Sequence, residues 1–394
     1  MPHNERLGHK EENVMGYILN EESMDIVKLA KDFAEKEVAP VCAEYDEKGE
    51  MPMELYQRAF ELGFQSLEIP EEYGGSGLDY YTVCAVYEEF AKVDAGFCTG
   101  VAATGLSLKP VLMFGSEEQK KYYAEYICGD KGNGFGAFAL TEPDAGSDAG
   151  AGKTTAVKVG DEYILNGRKC FITNAGPAQI YVVFAITDKS KGAKGYSAFI
   201  VERDREGISV GKEENKMGIR LSNTADLILD DVHIPADHLI GKEGKGYAYA
   251  MATLDLARPI IGAMSAGIMQ RCIEESVAYA KQRVTFGKPI IKHQVNQFKI
   301  ADMDMKAEIT RAAVEKCFDL YYAGKPYGKE AAIAKCYGGD SAVWCALEAI
   351  QILGGYGYSR EYPVEKLLRD AKIMQIYEGT NEIQRMVIAG YVCR

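Results

Sequence analysis

The sequence predicts a three-part α+β protein: an N-terminal all-α domain, a middle antiparallel β-barrel domain and a C-terminal four-helix bundle. Two changes of hydrophobic period carry this reading. Apolar residues recur at helical spacing up to about residue 134, alternate with period two to about residue 240, and return to helical spacing beyond it. No helical pattern interrupts the β-rich runs, which argues for antiparallel strands rather than alternating strand and helix.

Residues 1–19 carry no period and are expected to form a frayed or disordered N-terminus. From Asn20 to Pro40 the residues Ile26, Val27, Ala30, Phe33, Ala34 and Val38 fall on one side of a helix, with Asn20 suited to cap it and Glu21 and Glu22 at its positive end. Similar patterns run through Glu54–Leu62 and Tyr80–Val93, and Ser116-Glu-Glu-Gln119 is a capping box. These set a helical domain at 20–134. TTAVKV, EYILNG, RKCFIT, IYVVFAIT, YSAFIVE and ADLILDDV are short β-rich runs broken by Gly-Asp and Asn-Gly turns, with Asn166-Gly167 the strongest hairpin signal. They set a β domain at 135–240. Helical segments near 246–283, 293–322, 326–353, 363–374 and 380–391 then read as a bundle over 241–394.

The chain has 394 residues and a formal charge of −13, from 45 basic and 58 acidic side chains. Without a clustered basic block, neither nucleic acid nor an anionic bilayer is expected as a partner. No run of about 20 apolar residues suggests a membrane span, and the N-terminus lacks the basic start and apolar stretch of a secretory signal. A cytoplasmic protein is expected. Ten cysteines form no C-x-x-C pair and five histidines show no metal-ligand spacing. No metal is therefore expected, and redox chemistry would need an organic cofactor.

Five segments could carry chemistry. Phe138-Ala-Leu-Thr-Glu-Pro-Asp-Ala-Gly-Ser-Asp148 runs from a strand into a turn whose hydroxyls and N–H groups could hold phosphate, or could cap the turn itself. Lys169-Cys-Phe-Ile-Thr-Asn174 is a strand end with an aromatic and a hydroxyl. Arg283-Val-Thr-Phe-Gly-Lys288, followed by His293-Gln294, joins two helices and reads equally as a solvated loop. Gln351-Ile-Leu-Gly-Gly355 allows close approach of something flat, or ends a helix. In Ile376-Tyr377-Glu378-Gly379-Thr380 a lone carboxylate with apolar neighbours could serve as a base, or merely decorate the first turn of the last helix.

Taken in order, AFALTEPDAGSDAG, RKCFITNAG, RVTFGK, QILGGYGY, REYPVEKLLRDAKI and IYEGTNEIQR resemble segments of the acyl-CoA dehydrogenase family, over a stretch from about residue 20 to the C-terminus. A single short motif is weak, whereas six collinear ones are not. The resemblance implies FAD held between the β domain and the bundle. Phe138, Leu140 and Thr141 would border the flavin, Ser147 would lie near a phosphate and the substrate, and Phe171 and Thr173 would cover the flavin's other side. Arg283, Thr285, Phe286, His293 and Gln294, with Gln351, Gly354 and Gly355, would reach the FAD of a neighbouring subunit, which implies a homo-oligomer, in the family usually a tetramer. Thr380 and Glu382 would touch the adenylate side of FAD, while Asp255 and Arg258 would hold CoA and Tyr377 and Gly379 would border the substrate.

The same resemblance implies α,β-desaturation of an acyl-CoA thioester, or the reverse enoyl-CoA reduction, with Glu378 as base, its N–H and a flavin hydroxyl on the thioester oxygen, and flavin N5 as hydride acceptor. Family members with a base on the long helix carry it where this chain has Ala257, which favours Glu378. An Arg used for CoA by certain members falls at Gly390 here, and Lys109 is the only cation between Asp94 and Pro110, which speaks against a dicarboxylyl substrate. Motif wording is nearest the short-chain, butyryl-CoA dehydrogenase-like group, and electron-transfer flavoprotein is the implied acceptor. A medium-chain or aryl-propionyl substrate, an oxygen-using acyl-CoA oxidase or flavin monooxygenase relative, and a non-catalytic acyl-CoA-binding scaffold are the alternatives.

Overall fold

The computed structural model describes residues 12–14 and 17–393. Of the frayed stretch expected over 1–19, residues 1–11, 15 and 16 lie outside the described residues. The rest is a hairpin of β1 (Glu12–Val14) and β2 (Tyr17–Leu19), with Tyr17 and Leu19 buried in the main core. Three-residue runs are too short to display a period.

The helix α1 (Glu21–Phe33) begins as read, with the Asn20 carboxamide oxygen accepting the Ser23 N–H at 2.8 Å and Val27, Ala30 and Phe33 turned inward. It continues through a π-helical turn (Ala34–Val38) into α2 (Ala39–Lys48), followed by α3 (Met53–Glu61), α4 (Tyr80–Val93), α5 (Ala95–Phe114) and α6 (Glu117–Ile127). The Ser116/Gln119 capping box is formed. By length and composition α5 could cross a bilayer, which the search for apolar runs passed over, but it is mostly buried and packs on α4, α6 and β3 (Gly136–Ala139). That is the burial of a core helix.

The sheet continues with β4 (Thr155–Val159), β5 (Glu162–Thr173), β6 (Ile180–Ile186), β7 (Tyr196–Glu202), β8 (Ile208–Val210) and β9 (Thr224–Pro235), in the order β3-β6-β4-β5-β9-β8 with β7 on the other side of β6. Pairing is antiparallel except that β3 and β4 run parallel to β6, because β5 reverses the chain and β6 reverses it again. The β4–β5 turn is Gly160-Asp161, not Asn166-Gly167. Asn166-Gly167 instead sits at a bulge inside β5, where a side chain at residue 167 would run into Thr154.

The C-terminal part comprises α7 (Gly246–Gln282), the small hairpin β10 (Val284–Thr285) and β11 (Lys288–Pro289), α8 (Gln294–Tyr322), α9 (Gly328–Leu353), α10 (Val364–Ala371) and α11 (Asn381–Val392). Three long helices and two short ones fall where the sequence places them, and α9 stops at Gly354, whose φ is 63°. The long α7 packs against α9, α8 and α4, so the N-terminal domain and the bundle share one core.

A buried ionic hub joins all three parts. Lys366 on α10 meets Asp94, between α4 and α5, at 2.7 Å and Asp370 at 2.5 Å, while Asp370 accepts the Ile219 N–H of the β8–β9 connection at 2.6 Å. Burial pushes the Asp370 carboxyl up and Lys366 counters it. Close approach depends on Gly218, where a Cβ would stand 2.4 Å from the Arg369 backbone. Removing the cation while leaving two buried carboxylates is costly, so Lys366→Met is expected to lower stability by about 3–5 kcal/mol, read as the loss in urea unfolding free energy; a change below about 1 kcal/mol would show that the hub is not a stabilising contact.

Candidate active site

A cavity of about 1110 Å³ opens between the β sheet and the C-terminal helices. Its β side is built by two adjoining strand ends. Phe138 lies on β3 and Leu140 just past its end, Cys170 on β5 donates its N–H to the Thr141 carbonyl at 2.9 Å, and Lys169 donates to the Leu140 carbonyl at 3.0 Å and to Glu142 at 2.7 Å. Glu142 in turn accepts the Thr154 N–H, which closes the turn below Thr141. The register slips between Lys169 and Ile172, and this bulge turns Phe171 out at a φ of 55° with 65% of its surface exposed. A large apolar ring left bare in a strained backbone is a surface awaiting a partner.

The helical side supplies Thr99, Ala102, Ala103 and Leu106 from one face of α5, Arg258 from α7, and the loop Tyr377-Glu378-Gly379-Thr380 ahead of α11. Thr380 caps α11 by accepting the Ile383 N–H. Glu378 has a φ of 54° and Gly379 one of 91°, so the loop turns sharply and aims the carboxylate into the cavity beside the α5 stripe. One carboxylate oxygen, Oε2, is shut off from solvent with no hydrogen-bond partner among the described residues. Burial raises the Glu378 carboxyl to about 7; Lys109, Arg258 and Lys335 pull it down and Glu68 pushes it further up. The Glu378 N–H makes no backbone hydrogen bond among the described residues.

Phe138, Leu140, Thr141, Ser147, Phe171, Thr173, Arg258, Tyr377, Glu378, Gly379 and Thr380 thus come together on this one cavity. The remaining candidates do not line it. Asp255 sits behind, ion-paired with Arg258, and Glu382 is exposed on the first turn of α11. Arg283, Thr285, Phe286, His293 and Gln294 form an outer corner in which Thr285 bonds His293 at 3.2 Å and Phe286 is 96% exposed. Gln351, Gly354 and Gly355 are exposed at the end of α9, and a Cβ on either glycine would meet nothing. Sequence reading missed the 214–219 segment, Met251, Leu254 and Met386, which also line the cavity. Their types are ordinary for a loop or a core helix, so no local signal marks them.

Profiles of the acyl-CoA dehydrogenase N-terminal, middle and C-terminal domains match residues 20–130, 137–232 and 244–392. The chain belongs to the acyl-CoA dehydrogenase family. It is 47% identical to a short-chain specific acyl-CoA dehydrogenase of Megasphaera elsdenii, over 96% of this chain and 100% of that one. It is 44% identical to the acryloyl-CoA reductase (NADH) of Anaerotignum propionicum, over 96% of each. Among solved structures, butyryl-CoA dehydrogenase from Megasphaera elsdenii superposes with a TM-score of 0.92 at 46% identity, covering 96% of this chain and 100% of that one. A chain from a study of the electron transferring flavoprotein of Acidaminococcus fermentans gives 0.92 and 46%, covering 95% and 99%. An acyl-CoA dehydrogenase from Bacillus anthracis complexed with FAD gives 0.87 and 35%, covering 95% of this chain and 67% of that one.

For an acyl-CoA dehydrogenase, the cavity fits a flat cofactor on its own evidence. The bare Phe171 ring faces it, and Thr141 and Ser147, each with a hydroxyl, line it. The carboxyl of Glu378 in the ligand-free enzyme is expected to titrate near pH 7, followed as the carboxyl infrared band that Glu378→Gln removes. A midpoint at the ordinary glutamate value of 4.5 would refute the burial argument.

Proposed function

We propose that this chain desaturates a short-chain acyl-CoA thioester at its α,β bond, or reduces the corresponding enoyl-CoA, with Glu378 as the base. The observation that carries the proposal is a carboxylate raised toward neutrality by burial, one oxygen of which has no hydrogen-bond partner among the described residues, on a strained loop whose Glu378 N–H makes no backbone hydrogen bond among them. A base with a pKa near the working pH combines a usable ionised fraction with a useful affinity for the proton. The adjacent N–H suits the thioester oxygen, where negative charge grows as the α proton leaves. FAD, when bound, supplies the hydride acceptor.

Within this reading the chain's own residues bind, orient and exclude water. Phe138, Leu140 and Thr141 on one side and Phe171 and Thr173 on the other would hold the flavin; Ser147, Thr380 and Glu382 would meet its polar arms or the substrate's. Arg258, steadied by Asp255, would face the CoA side, with Tyr377 and Gly379 beside the acyl group. Arg283, Thr285, Phe286, His293, Gln294, Gln351, Gly354 and Gly355 would complete the FAD site of a neighbouring subunit in a homotetramer. The exposure of Arg283, Phe286, Gln294, Gln351, Gly354 and Gly355 on the single chain supports that assignment. Electron-transfer flavoprotein is the proposed electron acceptor and the cytoplasm the proposed compartment.

The short-chain assignment rests on the α5 stripe. Thr99, Ala102, Ala103 and Leu106 face the cavity, and the next position at helical spacing is Lys109, buried in an ion pair with Glu68. An apolar lining that ends in a buried charge favours a short acyl tail over one continuing past it. The name of the Megasphaera relative points the same way.

In a series from propionyl- to octanoyl-CoA with an artificial acceptor, kcat/KM is expected to rise by about fourfold per methylene to butyryl-CoA and then fall; an optimum at octanoyl- or phenylpropionyl-CoA would overturn the short-chain assignment. Glu378→Gln is expected to keep FAD and acyl-CoA binding while losing at least about 10²-fold in turnover. Wild-type exchange of the substrate α proton in that variant would place the base elsewhere.

A further inference from the structure

Lys335 is a buried cation that the reaction above leaves without a role. It lies on the second turn of α9, with 0% of its surface exposed. Its ammonium donates to the Gly379 carbonyl at 2.8 Å and to the Asn381 carboxamide oxygen at 2.8 Å. Asn381 donates back to the Cys336 carbonyl at 3.0 Å and to Asp340 at 2.8 Å, and Gln375 adds a bond to the same Asp340 oxygen. Three positions of one helix, 335, 336 and 340, therefore grip both ends of the 375–381 loop. From the other flank Gln384 donates to the Glu378 and Gly379 carbonyls at 3.2 and 2.8 Å. Held between these contacts is Glu378, at a φ of 54° that the backbone resists and the reaction needs.

We propose that Lys335 is a positioning residue for the base: it fixes the Glu378-Gly379 turn through the Gly379 carbonyl, and its charge favours the ionised carboxylate. The inference rests on Glu378 being the base. Coulombic attraction supplies the second half, because an ammonium bonded to the carbonyl of Gly379, the residue next to a shielded carboxylate, is poorly screened. The groups facing Glu378 are Lys109 from α5, Arg258 from α7 and Lys335 from α9, with Glu68 opposing them. Arg258 is neutralised by Asp255 and Lys109 by Glu68. Lys335 instead spends its hydrogen bonds on a carbonyl and an amide, neither of which carries a formal charge, so its charge is not cancelled by a contact partner. Burial lowers Lys335 to about 8, and Glu378 is the first of the groups that hold it up.

The test uses the FAD-loaded enzyme and two variants. Lys335→Met removes tether and charge; Lys335→Gln keeps a donor and removes the charge. For both, the acid limb of the kcat/KM profile is expected to move to higher pH, since losing a cation makes the carboxylate harder to ionise. For Lys335→Met, kcat is also expected to fall about 10- to 100-fold as the base loses its alignment, with KM and FAD content near wild type. Should Lys335→Met fail to fold, the Lys335→Gln profile decides alone. An unmoved acid limb in Lys335→Gln, or a full kcat in a folded Lys335→Met enzyme, would overturn the proposal. Glu378→Gln separates this from the parent reading: if that variant stays active the base assignment fails, whereas a dead Glu378→Gln beside unaltered Lys335 variants would fail only the role given to Lys335.

Discussion

The cavity depends on lysines taken out of water. Lys109, Lys169, Lys335 and Lys366 are each at most 9% exposed, and each binds groups from a different segment of chain. Burying an ammonium is expensive, and the cost is offset only where carboxylates or carbonyls replace its hydration in good geometry. Such a contact is directional and intolerant of displacement, unlike apolar packing, which slides. Loops that no helix or strand holds are thereby fixed: Lys169 closes the turn under Leu140 and Thr141, Lys366 gathers the junction of the three parts, and Lys335 holds the loop that carries Glu378.

This also explains which parts of the molecule were legible. The helical, β, helical order follows from periodicity, because burial of one face is a property repeated over many residues. The caps at Asn20 and Ser116 were readable for the same local reason: donor, acceptor and helix start lie within four residues. What failed was local too. Asn166-Gly167 carries a hairpin signature, but β5 runs on to pair with β9, and the turn falls at Gly160-Asp161. Long-range pairing outweighed turn preference. The hairpin at 12–19 was invisible because three residues show no alternation.

At the site, motif order brought eleven of the predicted residues to one cavity, but the lysines that hold them were unreadable. A lysine at a helical position is read as solvated, and nothing near Lys335 or Lys366 in sequence announces the carbonyl or carboxylate that awaits it. Lys335 lies 44 residues from Gly379, and Asp94 is joined to α10 only through the folded junction. Lys109 was visible only as a lone cation near the acyl end, whereas its partner Glu68 precedes it by 41 residues. Polar partnership at long range has no period.

The backbone shows what these contacts are for. Among the described residues, three other than glycine with positive φ line the cavity: Phe171 at 55°, Ile219 at 46° and Glu378 at 54°. Each such conformation costs about 1–3 kcal/mol and persists only when its surroundings overdetermine it; for a β-branched residue such as Ile219 the cost is at the upper end. Every one is tied by a polar contact at the residue or beside it. Cys170 and Lys169 hold the strand leading into Phe171, Asp370 of the ionic hub takes the Ile219 N–H, and Gln384 and Lys335 hold the carbonyls at Glu378 and Gly379. Strain and buried charge are thus two halves of one device. The strained residues present an aromatic face, an apolar wall and a carboxylate to the same space from three separate segments, and relaxation of any one would turn its side chain away. Folding energy stored in the hub and the tethers keeps those groups facing inward before a ligand arrives, so little binding energy is consumed in arranging them.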